Sequence, residues 1–165
     1  MRGRVYLPGD RSRERGFTLV EVLLVVALVG LLFGVAVVSF NRAVAHWEIE
    51  AAARLLASDI RTAQQKALAE GTATAVWFYR DAGCYERRNG GAVRETVYLP
   101  VRVRFTKLTF NEVSGVAPAV YEVHFTASGS PAQAGSAYLE NVTGEHRAVR
   151  VSVGTGRVRV TAEAP

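Results

Sequence analysis

The chain has 165 residues, a formal net charge of +5, 49% hydrophobic and 21% charged side chains, and one cysteine, Cys84. This length suits a single domain with an appendage, and the composition excludes a disordered chain. One cysteine excludes an internal disulfide framework and a cysteine-based zinc site; His46, His124 and His146 are too far apart to share ligand spacing.

Residues 1–16 hold Arg2, Arg4, Arg11, Arg13 and Arg15 against Asp10 and Glu14, a local charge of +3. The other 149 residues carry 15 basic and 13 acidic side chains, so retention or loss of this segment decides how basic the protein is. The segment is broken by Pro8 and Gly9 and has nothing with which to pack a core. The character then changes abruptly. Val22–Val38 is seventeen residues without a polar side chain, and widening it to Phe17–Phe40 adds only Thr18, Glu21 and Ser39. A helix over that stretch is about 36 Å long, enough for a bilayer core of about 30 Å. The preceding arginines hold its N-terminus in the cytoplasm, by the excess of positive charge on that side of membrane proteins.

A cleaved secretory signal is the rival reading, with Ala43-Val44-Ala45 as its small-residue site. Its apolar stretch is usually about 7–15 residues, shorter than this one. Asn41 and Arg42 interrupt the approach to that site, and a helical pattern continues through it.

Glu21 is the anomaly of the apolar run. A carboxylate deep in a bilayer costs about 2.5–3.5 kcal/mol on insertion scales. No Lys or Arg lies between residues 17 and 41 to offset it. A cationic partner must come from another chain or from a new α-amine, or else Glu21 sits at the membrane edge.

Gly16-Phe17-Thr18-Leu19-Val20-Glu21, followed by the apolar run, resembles the prepilin cleavage and methylation motif. The resemblance implies that a prepilin peptidase cuts after Gly16 on the cytoplasmic side and that the new terminus, Phe17, is N-methylated. It also implies that Glu21 pairs with a neighbouring subunit's N-terminal amine during assembly.

After Ser39 the pattern becomes amphipathic. Val44, Trp47, Ala51, Ala52, Leu55, Leu56, Ile60, Ala63, Ala67 and Leu68 recur at three- and four-residue steps and are the expected buried face. No proline interrupts Phe17–Glu70, and Gly71 is a natural helix stop. Continuous, this helix would be about 80 Å long. Gly30 and Gly34 form a small-xxx-small pair, read as ordinary glycine use in an apolar helix.

From Thr72 the period becomes two. Ala75–Tyr79, Cys84–Arg87, Val101–Phe105, Val120–Ala127, Val149–Val153 and Arg157–Thr161 read as strands, with turns at Asp81-Ala82-Gly83 and Asn89-Gly90-Gly91. Ser128–Ser136 reads as a mobile loop. The expected fold is α+β: a long N-terminal helix packed on one antiparallel sheet. The expected organisation is a leader over 1–16, a membrane or filament-core helix over 17–40, an amphipathic helix over 41–71, and a β head over 72–165.

The segments Ala51–Gly71 (AAARLLASDIRTAQQKALAEG) and Val149–Val160 (VRVSVGTGRVRV) resemble the GspH/FimT family of minor pseudopilins and minor pilins. Residues 87–120 depart most from that pattern. The resemblance implies a structural subunit of a type II secretion system or type IV pilus-like filament. Its implied partners are other pilin subunits, the prepilin peptidase and an inner-membrane assembly platform, with the head outside the cytoplasmic membrane.

No enzyme is expected, and no cofactor or metal. Asp59 falls on the helix and Asp81 in a turn, neither placed as a general acid or base. No phosphate loop, nucleophile elbow or His-Glu-x-x-His motif occurs. Cys84 reads as a core cysteine, and Asn141-Val142-Thr143 as a chance sequon. Tyr79, Tyr85, Tyr98, Tyr121 and Tyr138 read as packing residues. One cluster stands out. A terminal hairpin turning at Val153–Gly156 puts Val151 against Val158 and Val149 against Val160 on one face. On the other it puts Arg150 against Arg159 and Ser152 against Arg157. Like charges directly opposite each other are unfavourable, so these arginines are either well solvated or placed for an anion. Gly156-Arg157-Val158-Arg159 also resembles the Gly-Arg-x-Arg element of DNA-binding FimT-type pilins. Arg150, Arg157 and Arg159 are therefore the candidate DNA contacts of an alternative reading, a DNA-uptake minor pilin. A plain membrane-anchored or secreted β domain is the reading outside the class.

Overall fold

The computed structural model describes residues 17–165, apart from the side chains of Val35, Ala36 and Val38. The expected leader over 1–16, with the processing residue Gly16, lies outside the described residues. The chain divides into two units, Met1–Ser39 and Phe40–Pro165. Helix α1 (Leu19–Glu70) supplies the described helix of both. It stops at Gly71, whose φ of 61° is the left-handed conformation a helix stop needs and that glycine adopts without strain.

In the second unit, α1 buries Ala45, Ile49, Ala52, Ala53, Leu56, Ala57, Ile60, Ala63 and Ala67. The expected inward face is corrected here. Leu56 and Ile60 point inward as expected, but Trp47 is 70% exposed, Leu55 51% and Leu68 59%. Ala51 is also exposed and Val44 half-buried. The side turned to the sheets is the alanine-rich one, because small side chains let a helix lie close against a β-layer.

Nine strands follow: β1 (Thr74–Tyr79), β2 (Cys84–Asn89), β3 (Ala92–Tyr98), β4 (Val103–Leu108), β5 (Asn111–Glu112), β6 (Val120–Phe125), β7 (Gly135–Asn141), β8 (His146–Val151) and β9 (Val158–Thr161). They form two antiparallel sheets, ordered β3-β2-β1-β6-β5 and β4-β7-β8-β9, where one sheet was expected. The turns at Gly83 and at Gly90-Gly91 stand where expected, each glycine with positive φ. Strands β3, β5 and β7 were not anticipated. β3 is exposed on both sides along nearly all its length, so no apolar alternation marks it. The expected mobile loop at 128–136 is tied down: Ala132 N–H donates to the His124 carbonyl at 2.9 Å, and β7 begins inside it, at Gly135.

The core lies between α1 and both sheets. Phe78 of β1 stacks on Phe110 at 5.1 Å and meets Phe105 of β4 edge-on at 5.8 Å, so one aromatic cluster joins the two sheets. Polar clips fix the helix to both sheets. Thr74 Oγ1 donates to the Ala63 carbonyl at 2.8 Å from the five-stranded sheet. Asn141 Nδ2 donates to the Ala45 carbonyl at 3.0 Å from the other. Between them, buried Asp59 accepts from the Tyr85 hydroxyl at 2.6 Å and from Arg87 at 3.2 Å. A carboxylate and a guanidinium can be taken out of water together only when matched in this way.

Candidate functional sites

Among its described residues the first unit presents an apolar surface and one carboxylate, Glu21. Every described side chain from residue 19 to 34 is exposed. Each Leu or Val moved into apolar surroundings gains about 1.5–3 kcal/mol, so this surface calls for a bilayer or other apolar helices. Thr18 caps the helix: its carbonyl accepts from Val22 N–H at 3.2 Å, and its Oγ1 from Glu21 N–H at 3.3 Å. Glu21 is thus the third helical residue, at the capping-box position, where the positive end of the helix dipole favours a negative charge. Its carboxylate has no ion-pair partner among the described residues. Phe17 is exposed just ahead of the cap.

The second site is the terminal hairpin. The register is the expected one, Val151↔Val158, Arg150↔Arg159 and Val149↔Val160. Val149, Val151 and Val158 are buried, and Arg150, Arg157 and Arg159 are exposed on the other face. The three arginines do not act as one cluster. Arg150 is already matched: Nη2 donates to Glu163 at 3.0 Å and Nε to Ser136 Oγ at 3.3 Å. Arg157 and Arg159 instead line a groove of about 670 Å³ with Arg61, Gln64 and Gln65 of α1. Sequence reasoning missed Arg61, which sits among the polar residues of the helix with nothing nearby in the chain to mark it. Its Nη2 donates to the Val158 carbonyl at 2.9 Å, 97 residues away.

Cys84 is buried and unpaired, as expected, and burial followed by the nearby Glu86 pushes its thiol pKa up, which makes it a poor nucleophile. Among the described residues no group of three His, Cys, Asp or Glu side chains is placed to hold a metal ion.

Residues 11–37 match the family model of the prokaryotic N-terminal methylation motif. The fold of the chain is similar to that of the Pseudomonas aeruginosa type IV minor pilin FimU in its crystal structure, with a TM-score of 0.52. The chain has a type IV pilin fold and a prokaryotic methylation motif. The FimU likeness covers 73% of this chain and 94% of the other at 18% sequence identity, so it is a likeness of fold. No curated protein matches the chain. The motif falls within the first unit, and it includes Glu21, whose backbone N–H is capped by Thr18 Oγ1.

Proposed function

We propose that the chain is a minor pilin or pseudopilin of GspH/FimT type, a non-enzymatic subunit of a type II secretion or type IV pilus-like filament. The observation that carries this reading is the exposed apolar stretch of α1 with one carboxylate, Glu21, at its start that has no ion-pair partner among the described residues. In this reading a prepilin peptidase cuts between Gly16 and Phe17 and the new amine is methylated. Residues 17–40 first anchor the chain in the cytoplasmic membrane and later pack among the helices of other subunits. Residues 41–71 carry the head, 72–165, on the outer side. Asp59, the one buried carboxylate among the described residues, is engaged by Tyr85 and Arg87 and serves packing.

Glu21 supplies the test. Its carboxylate is unfavourable in lipid, so Glu21→Val should enter the membrane as well as wild type. Opposite an amine in low dielectric the same carboxylate is strongly attractive, so the variant should be lost from filaments. Normal filament incorporation of Glu21→Val would overturn the pairing role. The DNA-binding version of this function rests on Arg157 and Arg159, which are exposed, and is weakened at Arg150, which Glu163 already occupies.

A further inference from the structure

The outer edge of β9 borders the groove and carries backbone groups left without a hydrogen-bond partner among the described residues. Ser152 N–H donates to the Arg157 carbonyl at 3.1 Å, which makes those two a hydrogen-bonded pair. Antiparallel ladders alternate, so Arg150 and Arg159 also exchange their bonds across the hairpin. Val158 and Val160 then turn their N–H and C=O groups away from β8, toward the groove. Arg61 Nη2 on the Val158 carbonyl confirms that direction. The N–H groups of Val158 and Val160 and the Val160 carbonyl have no partner among the described residues.

The other sheet edges are blunted. The register shift between β2 and β3 leaves Arg94 as an extra residue on edge strand β3, and the one between β4 and β7 leaves Thr106 extra on edge strand β4. Bulges of this kind spoil an edge as a template. β5 has only two residues. β9 has regular pairing and borders a groove with three guanidinium groups, Arg61, Arg157 and Arg159. The β8–β9 loop is pressed onto α1 at one end of it. A Cβ on Gly156 would stand 2.0 Å from Gln64 Nε2, and its φ of 62° also selects glycine.

We propose that this edge is a docking site for an extended, acidic segment of a partner protein, added to the four-stranded sheet as its fifth strand. The repeat of free groups, every second residue, fits a peptide backbone. The arginines match acidic side chains at alternate positions, and half-buried Val160 offers apolar contact to those between. A nucleic acid would use the guanidinium groups but would bring phosphate oxygens against the outward carbonyl of Val160. The site does not depend on the filament role: a Glu21→Val variant should bind the segment as wild type does.

The test uses the full chain in detergent micelles and a labelled peptide of about eight residues, the length of a long strand, alternating Glu and Val. A Lys/Val peptide and a DNA duplex serve as comparison probes. The Glu/Val peptide should bind at least about tenfold more tightly than the Lys/Val peptide, and less tightly as salt rises. Arg61→Gln with Arg159→Gln should weaken it by about tenfold or more. Methylating the backbone nitrogens of alternate peptide residues should abolish binding in one register and spare it in the other, a control that leaves the protein unaltered. Amide exchange at Val158 and Val160 should slow in the complex. Equal loss in both methylated registers, or unchanged exchange at those two amides, would overturn the proposal. So would a duplex that outcompetes the peptide and is released by Arg157→Gln with Arg159→Gln.

Discussion

Tyr85 and Asp59 show how one contact decides where the helix sits. The phenol is fully buried and donates to the carboxylate at 2.6 Å. Burial first, then the Asp59 carboxylate, hold its proton far above the usual phenol range. A hydrogen bond to a charged acceptor is worth about 1.5–3 kcal/mol, so Tyr85→Phe should lose about that much stability near neutral pH. The pH dependence has a definite sign. The folded state holds the proton more tightly than the unfolded one, so the contribution is complete below the unfolded phenol value, about 10, and declines as pH rises past it. The gap between wild type and Tyr85→Phe in denaturant unfolding should narrow above that pH; a gap independent of pH would contradict the assignment. Sequence reasoning placed Asp59 on the helix but not in the core, because its partners lie 26 and 28 residues away in another element. Arg150 is the opposite case: its strand face was legible, but its neutralisation by Glu163 was not.

At the scale of elements, the helix separates two neighbouring leucines. Leu56 is fully buried and Leu55 is half exposed. Leu56→Asp should unfold the head, since truncation of a buried Leu already costs about 2–5 kcal/mol and an unpaired charge adds to it. Leu55→Asp should change stability by about 0.5 kcal/mol or less. Thermal unfolding of the two variants checks the assigned face, and equal losses would mean that the helix is rotated. Gly135 makes a second test. A Cβ there would stand 2.1 Å from the Phe110 ring, which is stacked on Phe78, so Gly135→Ala should overpack the cluster and cost about 1–3 kcal/mol. A neutral result in the same unfolding assay would show that Phe110 is free to move. Helix, turns and the core-facing strands other than β7 were legible because each has a period or a glycine that only one conformation explains; β7 was not, because it follows directly on a stretch of small and polar residues that reads as loop. β3 was not, since a strand exposed on both faces needs no alternation. The second sheet was not, because strand partners are set by tertiary packing and the aromatic cluster that divides the sheets draws on distant segments.

At the scale of the whole molecule, the two units have opposite surfaces. The first buries none of its described apolar side chains, and the second buries its own core. The step in composition from the charged residues 1–16 to the apolar run was legible in the sequence, and the methylation motif over residues 11–37 spans it. The groove beside β9 was not, because it joins a helix residue to a strand 97 residues later. The central claim is that the leader is removed at that step so that the helix can assemble through Phe17 and Glu21. Mass spectrometry of the protein isolated from its native host tests it most directly. The mature chain should begin at Phe17 and carry one methyl group on its α-amine. A mature chain that begins at His46, or one that keeps residues 1–16, would contradict it.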